Sequence, residues 1–133
     1  MVAAERLISV VIATWTVDRW DDLTSAIESV HRQTTPAREI IVVVDHNPEL
    51  LGRLASSSPG VIVVENREGR GASGARNTGV EIATGAVVAF LDDDAVAEPD
   101  WLERLASGFR DDVLGVGGAI AATWSARRRW SLR

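Results

Sequence analysis

The chain has 133 residues and a mass of 14.3 kDa, room for one domain with a buried core. Hydrophobic residues make up 46% and charged residues 25%, which excludes a disordered chain; zero Cys and only two His, His31 and His46, exclude disulfide scaffolds, zinc ribbons, iron–sulfur sites and His-rich metal centres. The formal net charge of −5 argues against a nucleic-acid partner, and all 14 basic residues are Arg, which removes P-loop and Schiff-base lysine chemistry.

The first apolar run, 7–14, is too short to span a membrane and lacks the basic flank and small-residue cleavage site of a leader, so a cytoplasmic protein is expected. Four more runs follow at 40–45, 61–65, 86–91 and 113–120. Each is continuous rather than alternating, and most are rich in Val and Ile, as in strands covered on both faces of a parallel sheet. After the first run, Trp20, Leu23, Ile27 and Val30 recur at helical spacing, with Asp18 as the expected cap and Asp21 and Asp22 suited to the positive end of the helix dipole. After the second, Pro48 opens a helix carrying Leu50, Leu51 and Leu54 that stops within 56–60. After the third, a helix over about 72–83 turns Ala75, Gly79 and Ile82 toward the sheet. After the fourth, Pro99 is the expected first helical residue, ahead of Trp101, Leu102, Leu105 and Phe109. Strict alternation predicts an α/β fold: a mainly parallel sheet of about five strands with alternating helices, Rossmann-like and three-layered, incomplete at the C-terminus. Ligands of such sheets sit beyond the carboxyl ends of the strands, so the residues just after each run are the ones to interrogate.

The sharpest of these is Asp92-Asp93-Asp94. Adjacent carboxylates repel one another unless a cation neutralises them, and hard oxygen donors suit Mg²⁺ or Mn²⁺ held jointly with substrate phosphates. The plainer alternative is a solvated acidic turn that caps the next helix. A second signal is Gly69-x-Gly71-x-x-Gly74, which outlines a dinucleotide fingerprint. Against that, Glu65, Asn66, Arg67 and Glu68 stand between the apolar part of the preceding run and the first glycine, and the first strand end, Ala13-Thr14-Trp15, has no glycine. A loop turning closely over the sheet, with Arg76 paired to a carboxylate, explains the same residues. A third signal is Asp45, placed either to bind a base or ribose or to cap the helix after Pro48.

Together these stretches resemble the nucleotide-sugar-binding half of family 2 glycosyltransferases, which have the GT-A fold. The matching motifs are 9–15 (SVVIATW), 41–45 (IVVVD), Gly74-Ala75-Arg76-Asn77-x-Gly79, and Phe90-Leu91-Asp92-Asp93-Asp94 followed by Pro99-Asp100-Trp101-Leu102. The resemblance implies a donor-binding subdomain over 1–120, with 121–133 an Arg/Trp-rich tail or the start of an acceptor half. It implies transfer of a sugar from a nucleotide-diphosphate donor to an acceptor hydroxyl on a glycan, lipid or small molecule, with inversion. Ala13, Thr14, Trp15, Asp45, Arg76, Asp92 and Asp93 are then donor-binding residues, and Asp92 and Asp94 ligands of Mg²⁺ or Mn²⁺. Ala13, Trp15, Thr16 and His46 stand where the family commonly has Pro, Tyr, Asn and Asp, which leaves the base open. No general base is nominated: Glu98 and Asp100 read as helix-start residues, and the base is expected beyond Arg133. The tail, with Trp124, Arg127, Arg128, Arg129, Trp130 and Arg133, reads as a solvated end, a peripheral membrane or partner surface, or a link to further chain. The alternatives are donor binding without turnover and a nucleotide- or dinucleotide-binding module without glycosyl transfer. A nucleotidyltransferase, a third possibility, would want a Lys or Arg on the phosphates near the N-terminus, and the first loop has only Arg19 in its vicinity.

Overall fold

In the computed structural model, which describes residues 7–110, 112 and 115–118, four strands alternate with four helices. The strands are β1 (Ile8–Thr14), β2 (Glu39–Val44), β3 (Ile62–Glu65) and β4 (Val87–Phe90); the helices are α1 (Trp20–His31), α2 (Pro48–Ser57), α3 (Ala72–Ile82) and α4 (Trp101–Ser107). All strands are parallel, in the order β3-β2-β1-β4. The chain therefore builds outward from β1 to β3, then crosses back to place β4 on the other side of β1.

Continuous apolar runs form the central strands because both faces of the sheet are covered. Ile8, Val10 and Ile12 of β1 join Ile40, Val42 and Val44 of β2 in a core with Leu23, Ile27, Leu54 and Leu102 from α1, α2 and α4. Val11, Ile41 and Val43 point the other way, onto Ala75 of α3. Helix α3 lies close to the sheet: a Cβ on Gly79 would sit 2.4 Å from the buried Val11 side chain. Ala75, Gly79 and Ile82 occupy the sheet-facing side that their spacing predicts.

Three expectations need correction. The sheet has four strands, not five. Of the run 113–120, residues 115–118 form no strand, and 113, 114, 119 and 120 lie outside the described residues, as does the tail 121–133. Three of those four residues are Gly, which weakens a strand, and Val116 packs on the main core instead. Asp18 does not cap α1. Thr16 initiates the helical path earlier, its hydroxyl accepting from Asp18 N (3.2 Å) to start a 3₁₀ turn over Val17–Arg19 that runs into α1. Helix α4 begins at Trp101 rather than Pro99, and Phe109 follows its end. The Pro99 carbonyl accepts from Thr34 N (2.8 Å), while the buried Gln33 side chain accepts from Leu102 N (2.9 Å), which ties the start of α4 to the end of α1.

Among the described residues no helix is long and apolar enough to cross a membrane.

Candidate functional site

Strand order reverses between β1 and β4, and the crevice beyond the carboxyl ends of strands at such a point is where open α/β sheets hold ligands. A cleft of about 280 Å³ opens there. It is lined by all eight sequence-nominated residues: Ala13, Thr14 and Trp15 after β1, Asp45 after β2, Arg76 on α3, and Asp92, Asp93 and Asp94 after β4. Arg19, Ala72, Ala75 and Leu91 complete the lining. Trp15 is 58% exposed, so its indole stands open to solvent.

The acidic triplet divides its labour. Asp93 is 4% exposed and turned inward, accepting from the Thr14 hydroxyl (3.0 Å, Oδ2) and from Arg19 Nη1 (3.0 Å, Oδ1). Asp92 and Asp94 are exposed on the cleft wall, and Asp92 accepts from Arg76 Nη2 at 3.3 Å. No three His, Asp or Glu side chains among the described residues converge into a ready-made metal cage. The donor set nonetheless fits Mg²⁺ or Mn²⁺, because such a cation is commonly held by one or two carboxylates while substrate phosphates fill other positions. The Arg76 guanidinium also approaches the half-exposed Phe90 ring, 5.9 Å from its centroid.

Asp45 is not the cap of α2, because Asn47 is: Asn47 Oδ1 accepts from Leu50 N (3.1 Å) with Pro48 in the first turn. His46, at φ 50°, makes the turn between them. The Asp45 carboxylate accepts from Asn66 Nδ2 (2.9 Å), from Gly71 N (2.9 Å) and, at 2.6 Å, lies against His46 Nδ1. Burial pushes its pKa up, but the bonds from Asn66, His46 and Gly71 outweigh this and hold the carboxyl below its ordinary range.

Asn66, directly after β3, is the residue that sequence reasoning passed over. It is 5% exposed and fully engaged, donating to Asp45 and to Gly69 O (3.0 Å) and accepting from Glu68 N (2.9 Å) and Thr78 Oγ1 (3.0 Å). It thereby locks the β3–α3 loop against β2. Gly71 in that loop has φ 124°, outside the range L side chains favour, and a Cβ on Gly74 would meet Gly69 O at 2.5 Å. The glycines thus have local work in a tight loop, the plainer of the two readings of that motif, and Arg76 is paired to Asp92 as that reading expects.

Comparison with known proteins adds to this geometry. The profile of glycosyl transferase family 2 matches residues 9–133. A glucosyl-dolichyl phosphate glucuronosyltransferase of Haloferax volcanii is 39% identical over 126 residues, 91% of this chain and 40% of that protein. An uncharacterized glycosyltransferase of Nostoc sp. is 38% identical over 114 residues, 82% of this chain and 35% of that one. The chain thus spans two-fifths or less of the length of these relatives. Among solved structures, the mannosyltransferase PcManGT from Pyrobaculum calidifontis, in complex with GDP-Man and Mn²⁺, matches with TM-score 0.55 and 25% identity over 69% of this chain and 28% of that one. S. aureus TarS 1-349 shares the fold, with TM-score 0.60 at 21% identity over 75% of this chain and 31% of that one.

Proposed function

The chain belongs to glycosyl transferase family 2, and from that premise we propose that it forms the donor site of an enzyme moving a sugar from a nucleotide diphosphate to an acceptor hydroxyl, with inversion at the anomeric carbon. The observation that carries this reading is a cleft at the β1/β4 switch point that gathers an open indole, two exposed carboxylates and two guanidinium groups. Each has a task suited to one part of such a donor. The Trp15 face stacks on the base, and Asp45, held ionised, accepts a base or ribose N–H or O–H beside Ala13 and Thr14. Asp92 accepts from the ribose, with Arg76 beside it, and Asp92 and Asp94 are the ligands of Mg²⁺ or Mn²⁺. That cation, when bound, offsets the charge that grows on the departing diphosphate. The GDP-Man and Mn²⁺ held by the Pyrobaculum mannosyltransferase support this choice of donor class and cation. The acceptor is a hydroxyl of a glycan, lipid or small molecule.

Calorimetric titration of the chain with UDP and with GDP, each with Mn²⁺ and then with EDTA, tests the reading. Binding of at least one diphosphate is expected to weaken by about tenfold or more without the cation, roughly 1.4 kcal/mol, and to weaken similarly in Asp94→Ala. Tight NAD binding indifferent to both cation and Asp94 would sink the donor reading in favour of a dinucleotide module.

A further inference from the structure

The cleft is lined by four carboxylates (Asp45, Asp92, Asp93 and Asp94) and only two guanidinium groups, Arg19 and Arg76. A diphosphate entering such a surface meets net negative charge, so the placement of each cation decides whether it binds. Arg76 already leans on the exposed Asp92. Arg19 is placed differently. Its side chain is 42% exposed at the cleft while its partner carboxylate, Asp93, is 5% exposed. The Asp93 carboxylate is itself pinned through its other oxygen by the buried Thr14 hydroxyl at the end of β1. The backbone under Arg19 is fixed as well, by the 3₁₀ turn that Thr16 caps. A chain of contacts from the central strand through Thr14 and Asp93 therefore ends in a guanidinium held at the cleft.

We infer that Arg19 contacts the donor diphosphate and that Asp93, the middle acid of the triplet, is its positioning residue; this rests on the donor reading above. Sequestering a carboxylate costs more than one half-exposed ion pair returns, so the pair is poorly explained as a stabilising device alone. Its location is informative too. Asp93 lies between Asp92 and Asp94 after β4, so Arg19 is anchored next to the proposed cation ligands, on the same side of the cleft as Trp15 after β1. A planar guanidinium presents paired N–H groups that match phosphate oxygens, and a second anchor on a carboxylate removes the freedom it would otherwise lose on binding. The Arg19 guanidinium also lies 5.9 Å from the Trp15 ring centroid, so it stands near both the proposed base platform and the proposed cation ligands, where a diphosphate linking the two would lie.

The test compares affinities for UDP and GDP, by calorimetry with Mn²⁺, with affinities for uridine and guanosine, by ligand-observed NMR. The variants are Arg19→Gln, Arg19→Lys and Asp93→Asn, each checked for folding by thermal melting. Arg19→Gln is expected to weaken the bound diphosphate about tenfold, as loss of a charge-assisted hydrogen bond does. It should leave the nucleoside within about twofold, because the charge-assisted contact it removes involves phosphate only. Arg19→Lys should recover part of the loss, and Asp93→Asn should show the same split without adding to Arg19→Gln in the double variant. An equal loss for nucleoside and diphosphate, or no loss for either, overturns the assignment of Arg19. Additive losses in the double variant overturn the positioning role of Asp93. If the wild-type chain binds neither diphosphate, the donor reading falls and takes this inference with it.

Discussion

Glu39, at the amino end of β2, and the acids at the carboxyl ends of β2 and β4 are the same chemistry placed at opposite edges of one sheet. Glu39 Oε2 accepts from the Ser9 hydroxyl (2.6 Å), the Thr84 N–H (2.6 Å) and the Thr84 hydroxyl (2.9 Å), and Ser9 Oγ in turn accepts from Gly85 N (2.8 Å). Those donors come from β1 and from the turn between α3 and β4, so Glu39 clamps the crossover onto the sheet. At the other edge, Asp45 and Asp93 are clamps of the same kind, one holding the β3–α3 loop and the other Arg19. Asp92 and Asp94 differ from all three, standing exposed on the cleft wall. Glu39 and Asp93 are committed to protein donors, Asp45 holds a loop while also lining the cleft, and Asp92 and Asp94 present exposed carboxylates to it. Residue type does not separate them; burial does, with Asp93 buried, Glu39 and Asp45 partly buried, and Asp92 and Asp94 exposed.

The largest effect that would sharpen this contrast is at the open pair. Asp92→Asn combined with Asp94→Asn is expected to cut Mn²⁺-dependent diphosphate affinity by about 100-fold, or ~2.7 kcal/mol. Thermal unfolding should move by no more than about 0.5 kcal/mol, the usual range for surface changes. A drop in stability as large as the drop in affinity would break the division between clamp and ligand. The converse change, Glu39→Gln, is expected to lower stability by about 1–2 kcal/mol through weakened charge-assisted bonds. Diphosphate affinity should stay within about twofold, since the loss falls at the opposite sheet edge and distant sites act additively. Denaturant titration of this variant beside the wild type checks the first value and calorimetry the second.

The carboxyl edge was legible in the sequence, whereas the Glu39 clamp and the division within the triplet were not, for identifiable reasons. The runs at 40–45 and 86–91 read as strands because β2 and β4 pack on both faces, and Asp45 and Asp92–Asp94 at their ends therefore fell at the ligand-bearing edge. The helix start at Pro48 was legible because its cap, Asn47, is local. The starts of α1 and α4 were misplaced because they depend on a competing cap and on a distant side chain: Thr16 captures the N–H of the expected cap, and Leu102 N is claimed by Gln33, 69 residues away. The division within the triplet was hidden for the same reason, since Arg19 and Asp93 are 74 residues apart. Asn66, by contrast, left a signal: a polar residue directly after an apolar run, beside a loop dense in glycine. The fifth run carried its own warning in Gly115, Gly117 and Gly118.

The smallest expected effect is a pH dependence shared by both edges. Burial favours the neutral form of Glu39, but bonds from Ser9 and Thr84 and the charge of Arg38 outweigh it, so its pKa lies below the ordinary 4.5. Asp45 likewise lies below its ordinary 3.8, with Asn66, His46 and Gly71 overcoming burial. Each folded-state pKa is depressed, so the unfolded chain takes up these protons first as pH falls. The stability contributed by each carboxylate is therefore complete above its ordinary value and is lost as pH drops through the lower, folded one. Wild-type melting temperature should hold steady from pH 7 to about 5 and then fall. Glu39→Gln removes one of these titrations, so its curve should start lower, fall less steeply, and approach the wild type in acid. Parallel curves would mean that the Glu39 clamp does not depend on its charge. Asp45→Asn should flatten the acid limb in the same way while also weakening the diphosphate complex, because the loop it releases at Gly71 leads into α3 and Arg76. That pairing of an acid-sensitive clamp with a binding defect is what distinguishes the carboxyl-end clamp from the one at Glu39.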